Sequence, residues 1–504
     1  LFFLPWECSF KAAAIDPMGG WLRYTVMPLS PAPALLWFRN DLRVSDNPAL
    51  THAVDSGRPV VAVYVLDQIS HGLRPLGAAS LWWLHGSLEA LQAALAALGI
   101  PLVLRRGPSA DVIRDTVDET HAGLVVWNRR YEPAAVAIDS DIKAELQEGG
   151  IEVVSCNASL LVEPWDVTTK AGDPFRVFTP FWRAATAGAA PREPLPPPRK
   201  LSGPSGVTSD QLADWKLEPA SPDWAGGFRS RWQRGEQAAQ ERLASFIAGR
   251  LDGYAEARDR PDSDGTSGLS PHLRFGEISP FQVWHAVRDH GGENASRFRT
   301  EIGWREFNYH IMFHAKALHE VNFQPRFDAF PWTKDTAGFE AWTRGRTGYP
   351  IVDAGMRQLW ETGWMHNRVR MIVGSFLIKD LLGDWRLGEK WFWDTLVDAD
   401  PASNAGNWQW VAGSGADAAP FFRIFNPVRQ GEKFDPRGDY VRRYVPELAS
   451  MPDEYVHRPW EAGADVLAQA GVVLGTTYPR PIVDHREARD AALEAFRQTR
   501  MPSE

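Results

Sequence analysis

The sequence predicts an α/β, doubly wound parallel-sheet domain on the N-terminal side and an all-helical domain after it. Three observations carry that reading. Strand-length apolar runs alternate with helical patterns up to about residue 157, a proline- and glycine-dense segment then interrupts the chain, and from about Gly235 the apolar spacing is helical.

The runs at 35–38 (LLWF), 60–66 (VVAVYVL), 102–104 (LVL), 124–127 (LVVW) and 151–154 (IEVV) have the length and composition of strands. Between the second and third, Leu81, Leu84, Leu88, Leu91, Leu95 and Leu98 recur in steps of three and four. That spacing puts one leucine stripe on one face of a helix, which Gly99 and Pro101 end. Strand and helix in alternation give a doubly wound domain over residues 33–157. After the first strand stands FRNDLRVSDNP, without the glycine fingerprint of a dinucleotide turn, so ordinary nicotinamide binding is unsupported. Residues 158–235 are the connector, and its stretch APREPLPPPRKLSGPSG (190–206) resists helix and strand. The helical domain spans 236–490, followed by a tail at 491–504. Ser279 and Pro280 start a helix that Gly291-Gly292 stops, Pro350 starts another that Gly363 ends, and a third spans about Met365 to Leu382. No internal repeat occurs.

A chain of 504 residues with 44% hydrophobic and 23% charged residues is long enough for two domains and ordinary in composition. No apolar stretch has the length needed to cross a bilayer. Cys8 and Cys156 are the only cysteines, too few for a disulfide framework, a four-cysteine zinc site or an iron–sulfur cluster. A reducing, cytoplasmic setting, no metal and a monomer without an obligate protein partner are expected. The opening LFFLPWECSF lacks a basic region before its apolar run, so residues 1–32 read as a disordered extension rather than a secretory signal, with Met27 an equal candidate for the start. Net charge is −9, which argues against indiscriminate coating of nucleic acid. Locally, Phe421 to Tyr444 carries Arg423, Arg429, Lys433, Arg437, Arg442 and Arg443 against Glu432, Asp435 and Asp439; on composition alone this is a solvated loop. The 23 tryptophans read first as core and groove residues.

Several groups of residues have chemistry as well as packing open to them. In DGTSGLSPHLRFG (264–276), glycines permit close backbone approach and the hydroxyls of Thr266, Ser267 and Ser270 stand beside free amides, a cradle for a diphosphate or a plain helix cap. Asn367, Arg370 and Met371 stand at i, i+3 and i+4 on one helix face, and Glu301, Trp304 and Arg305 repeat that spacing. Arg370, Asp398 and Asp400 are costly to bury singly and plausible as one paired cluster.

The segments GYPIVDAGMRQLWETGWMHNRVRMIVGSFLIKDLLGDW (348–385) and LVDADPASNAGNWQWVAGSGADAAPFFRIFNPVRQGEKFDP (396–436), with WFRNDLRVSDNPAL (37–50), resemble the photolyase and cryptochrome family. The likeness runs from residue 35 to about 490 and is similar to class I cyclobutane pyrimidine dimer photolyases. It implies that the helical domain binds FAD, with FADH⁻ the working form. Tyr254, Thr266, Ser267, Gly268, Leu269 and Ser270 are implied to grip the diphosphate, with Phe298 offering an aromatic face where some members stack tryptophan. Arg370 and Asp398 are implied to pair beside the isoalloxazine, with Ala399, Asp400 and Arg305 near it and Asn404 facing N5, an amide that suits a fully reduced flavin.

On the substrate side the resemblance assigns Glu301, Asn367 and Met371 to the dimer, Trp304 and Trp410 to its flanks, and Arg258, Arg305 and Gln430 to DNA. Trp408, Trp385 and Trp332 match the family's electron relay, and Asn128 with Glu132 in NRRYEP (128–133) resembles an antenna pocket, for methenyltetrahydrofolate or 8-hydroxy-5-deazaflavin or left empty. The expected activity is blue-light-driven repair of cyclobutane pyrimidine dimers in damaged DNA. A cryptochrome-type photoreceptor is the first alternative, against which Asn404 and Met371 count. A (6-4) photolyase is the second, where adjacent histidines are needed and His366 is instead followed by Asn367. A dark flavin oxidoreductase is the third.

Overall fold

A computed structural model describes residues 31–188, 190–199, 203, 206–315, 317–417 and 422–499. The extension expected over residues 1–32 and the last residues of the expected tail lie almost wholly outside these. Five strands, β1 (Ala34–Phe38), β2 (Val60–Leu66), β3 (Leu102–Arg106), β4 (Leu124–Asn128) and β5 (Glu152–Cys156), form one parallel sheet in the order β3-β2-β1-β4-β5. In β1, Leu36 and Phe38 join one core cluster while Leu35 and Trp37 join the other, the two-residue period of a sheet buried on both faces. The strand order reverses between β1 and β4, and a small pocket lined by Asn40, Asp41 and Asn128 lies at their carboxyl ends.

The leucine stripe lies on helix Ala78–Leu98, which stops where Gly99 takes the left-handed conformation at φ 83°. This helix also joins the domains: Trp82 and Trp83 share a core with Trp232, Phe275 and Trp364. The fully buried Glu277 accepts hydrogen bonds from Trp83 Nε1 (3.2 Å) and the Gly235 amide (2.7 Å), tying helix, connector and helical domain together.

The helical domain differs from the spacing-based expectation at three places. Helix Pro280–Ala286, with a full Ser279/Gln282 capping box, ends at Val287 and not at the glycine pair; residues 288–290 are exposed and polar, so no apolar face extends it. Gly291 and Gly292 instead begin helix Gly292–His314. The third helix starts at Asn367, because the His366 ring caps it by accepting from the Arg368 amide (3.2 Å), and after Ser375 it widens into a π turn over Phe376–Asp380. That turn brings Lys379 inward, where its ammonium donates to the Val411 (3.0 Å) and Arg423 (3.3 Å) carbonyls. The basic stretch is not a solvated loop: it carries helices Pro427–Phe434 and Asp439–Tyr444, the second of which buries Tyr440, Val441 and Tyr444. Its Phe421 lies outside the described residues. Helix Pro350–Thr362 ends at Gly363 as its sequence predicts. Among the described residues no helix is long and apolar enough to cross a membrane, and no group of three or more metal-type side chains gathers.

Candidate active site

Three helices surround a cavity of about 530 Å³, within the range of pockets that enclose organic ligands. Helix Gly292–His314 presents Arg297, Glu301, Trp304, Arg305 and Asn308 to it, residues in steps of three and four on one face. Helix Asn367–Ser375 adds Asn367, Arg370 and Met371, and helix Pro401–Ala412 adds Asn404, Trp408 and Trp410. Both triplets singled out by spacing therefore meet in one cavity, joined by Arg258 and Asp398.

The charges around it are mostly paired. Arg370 Nη2 donates to both oxygens of Asp398 (3.0 and 2.8 Å), and Ser270 Oγ donates to the same carboxylate (2.6 Å), which ties the loop at 264–270 to the cavity wall. Asp400 does not join them. It caps helix Pro401–Ala412 by accepting from the Ala402 (3.0 Å) and Ser403 (2.7 Å) amides, and it accepts from the Tyr309 hydroxyl (2.7 Å); an Asp-Pro sequence favours that cap over a third place in an ion cluster. The Ala399 carbonyl accepts from Arg274 Nε (2.7 Å). Arg258 pairs with Glu301, and Arg305 donates to the Ser159 carbonyl (2.7 Å) while lying over the Tyr309 ring. Burial pushes the His366 imidazole down to about 4, so it stands neutral beside this site at pH 7.

Asn404 is held in one orientation. Its Nδ2 donates to the carbonyl (3.0 Å) and carboxylate (2.8 Å) oxygens of Glu389, which Arg74 of the α/β domain grips at 2.7 and 2.8 Å. Only the nitrogen can donate to those oxygens, so Oδ1 is left for the cavity as an acceptor. Sequence reasoning missed Glu389 and Arg74, which lie 315 residues apart and carry no shared motif.

The aromatic walls are asymmetric. Trp304 stacks face to face on Phe178, centroids 3.8 Å apart, while Trp410 stacks on no other ring among the described residues. Asn367 is exposed at the first turn of its helix, with no hydrogen bond from its side chain to any described residue. Gln430, on helix Pro427–Phe434, and the exposed Arg429 and Lys433 stand outside the cavity wall.

In the 264–270 loop, Gly268 takes φ 64° and Leu269 anchors the loop in the core. The amides of Thr266, Ser267 and Gly268 donate to no described acceptor, leaving them to an anion. Phe298 does not offer an open face: its ring packs between Phe246 and Tyr254, centroids at 4.7 and 5.3 Å, and all three belong to a core cluster.

The three tryptophans expected to form a relay differ in exposure, with Trp408 on the cavity, Trp385 fully buried and Trp332 half-buried at the edge of the same core. The outer ring edge of Trp408 abuts the helix that carries Trp385, since a β-carbon at Gly388 would stand 2.1 Å from it.

The expected antenna residues have little room. Asn128 spends its amide on Asp41 (2.6 Å), Asn47 (2.8 Å) and the Ala49 amide (3.1 Å), and the pocket it shares with Glu132 holds about 20 Å³, the space of roughly one water. A cavity of about 630 Å³ lies elsewhere, between connector and helical domain, lined by Trp182, Arg192, Phe281 and Trp284.

Comparison with known proteins agrees with this geometry. Residues 34–199 match the DNA photolyase family and residues 298–498 match the FAD binding domain of DNA photolyase. A deoxyribodipyrimidine photo-lyase of Agrobacterium fabrum is 56% identical over 93% of this chain and 98% of its own. Cryptochrome-1 of Arabidopsis thaliana is 42% identical over 92% of this chain and 70% of its own. The crystal structure of a bacterial class III photolyase from Agrobacterium tumefaciens superposes with a TM-score of 0.91 at 55% identity, covering 94% of this chain and 99% of that one. The class I expectation is corrected by that likeness to a class III structure. With this identity over nearly the whole chain, the protein belongs to the photolyase and cryptochrome family.

Proposed function

We propose that the chain is a class III type photolyase that repairs cyclobutane pyrimidine dimers in DNA under blue light. The observation that carries the reading is the meeting of Glu301, Asn367, Met371, Trp304 and Trp410 with Asn404 and the Arg370–Asp398 pair around one cavity. The residues fit FAD: unspent loop amides suit its diphosphate, and the Asn404 Oδ1 acceptor suits a flavin N5 that carries a proton. When bound and fully reduced, FAD supplies under blue light the electron that opens the two cyclobutane bonds and takes it back afterwards.

The chain's own residues bind and orient. The family works on a nucleotide pair taken out of the helix stack, at a cost of a few kcal/mol, and each base stacked on an aromatic wall returns about 1–3 kcal/mol. Trp304, stiffened from behind by Phe178, and Trp410 supply those walls. The Asn367 amide and the Glu301 carboxylate offer donor and acceptor to the pyrimidine edges. Arg429 and Lys433, exposed and without carboxylate partners, reach for backbone phosphates. The small volume of the pocket of Asn128 and Glu132 favours placing a second chromophore instead in the aromatic-walled cavity beside Trp182 and Trp284, which has the space.

The identity to a plant cryptochrome favours a second reading, a photoreceptor without repair. One assay separates the readings. Chemically reduced protein is illuminated with thymine-dimer DNA and with (6-4) DNA, each beside a dark control. Loss of the thymine dimer only in the light supports the proposal; loss of the (6-4) lesion alone, or of neither, contradicts it.

A further inference from the structure

Two arginines beside the 264–270 loop form no ion pair with any described residue. Arg231 closes helix Gly226–Arg231, and its buried Nε has no hydrogen-bond partner. Arg242, on helix Glu236–Gly249, forms no hydrogen bond or ion pair. Both guanidiniums rest on the Trp232 ring, 5.0 and 4.9 Å from its centroid, and Arg231 lies 4.8 Å from that of Trp364. Trp232 is itself fixed, its Nε1 donating to the Thr362 carbonyl at 2.8 Å. Burial pulls both arginines below the ordinary guanidinium range, and the charge of Arg231 pulls Arg242 further.

Two neighbouring cations are paired, Arg250 with Asp264 (2.6 Å) and Arg370 with Asp398 (2.8 Å). What remains beside the loop is two positive charges without an ion pair of their own in a partly dehydrated place, on which the Asp264 carboxylate, already held by Arg250, acts only at a distance. A protein keeps such charges where something else neutralises them.

The loop is shaped to receive one of them. A β-carbon at Gly268 would stand 2.7 Å from Arg242 Nη1, so the missing side chain is what lets that guanidinium reach the loop backbone and its unspent amides. Contacts then run from Arg242 through Trp232, Arg231 and Trp364 to the Arg370–Asp398 pair, and through Ser270 back to the loop.

We propose that Arg231 and Arg242 are the counter-charges of the FAD diphosphate, spaced by the Trp232 indole. The assignment rests on the FAD-binding reading of the site. A diphosphate carries two negative charges at neutral pH, and the planar guanidinium fork matches phosphate oxygens in a way an ammonium does not.

The test titrates apoprotein with FAD, followed by flavin fluorescence, for the wild type, Arg231→Gln, Arg242→Gln, Arg242→Lys and the double glutamine variant. Each glutamine change is expected to raise the FAD Kd by about tenfold or more and to flatten its salt dependence. Arg242→Lys should keep the salt dependence and lose part of the affinity. Riboflavin, which lacks the diphosphate, should bind all variants alike, and apoprotein melting should stay level or rise as an unpaired charge is removed. Unchanged FAD affinity and salt slope, with a lower apoprotein melting point, would overturn the assignment and leave the arginines as braces for Trp232. Failure of the wild type to take up FAD would overturn the cofactor reading itself, and the assignment with it.

Discussion

Replacing Asp398 with asparagine tests whether the Arg370 pair holds the cavity wall before any ligand binds. The Asp398 carboxylate is 3% exposed and accepts two hydrogen bonds from Arg370 and one from Ser270. Asparagine keeps the shape, removes the charge and sets an N–H where an acceptor stood. Breaking a buried pair by removing one partner costs about 3–5 kcal/mol. Arg370 is 24% exposed and keeps its Nε bond to the Met365 carbonyl, so the lower end applies, about 3 kcal/mol. Urea unfolding of the apoprotein reads this directly. The double variant Arg370→Gln, Asp398→Asn should recover about 1–2 kcal/mol of it, because no charge is then left alone. A single-variant loss below about 1 kcal/mol, the value of an exposed pair, would refute the reasoning.

Asn367→Ala should weaken binding of dimer-containing DNA by about tenfold while FAD stays bound, since polar lesion atoms lose their partner; equal lesion affinity in a binding titration would count against its placement. Arg429→Gln with Lys433→Gln should weaken damaged and undamaged DNA alike and lower the salt slope by about two, measured across a salt series. Trp385→Phe keeps most of the buried volume, so folding should suffer by under about 1.5 kcal/mol, yet photoreduction of bound oxidised FAD by an external thiol should collapse while repair from the chemically reduced state survives. Wild-type photoreduction in that variant would remove Trp385 from the relay. His366→Asn keeps a helix cap and removes a titrating group. The imidazole is pushed from 6.5 to about 4 in the folded state, so between those values the unfolded chain binds more protons and stability falls as pH falls. The wild type should lose about 3 kcal/mol more than this variant between pH 7 and pH 4, and parallel stability curves would show that His366 does not titrate so.

The elements that were legible in the sequence are those in which local pattern and tertiary environment agree. The five apolar runs became five strands within two residues because a sheet covered on both faces leaves no competing reading for such runs. The triplets at 301–305 and 367–371 met in one cavity because each is a strict helical repeat. What stayed illegible depends on contacts distant in sequence. Asp398 and Asp400 look alike in DADP, yet one faces Arg370 and the other caps a helix. Phe298 matched an aromatic position, but its ring is taken up by Phe246 and Tyr254. Asn404 owes its orientation to Glu389 and Arg74, and the lack of an ion pair at Arg231 and Arg242 emerges only when Asp264 is seen to be held by Arg250. The π turn at Phe376–Asp380 leaves the apolar spacing of its helix almost unaltered, so periodicity does not reveal it.

The claim at the centre of this account is that the flavin cavity repairs the dimer with no net redox change. The most direct measurement illuminates chemically reduced protein, free of excess reductant, with an excess of thymine-dimer DNA while dimer loss and flavin absorbance are followed together. The account predicts many dimers lost per FAD with the reduced-flavin spectrum unchanged at the end. Dimer loss that stops at one per flavin as the flavin oxidises, or no loss at all in the light, would contradict it.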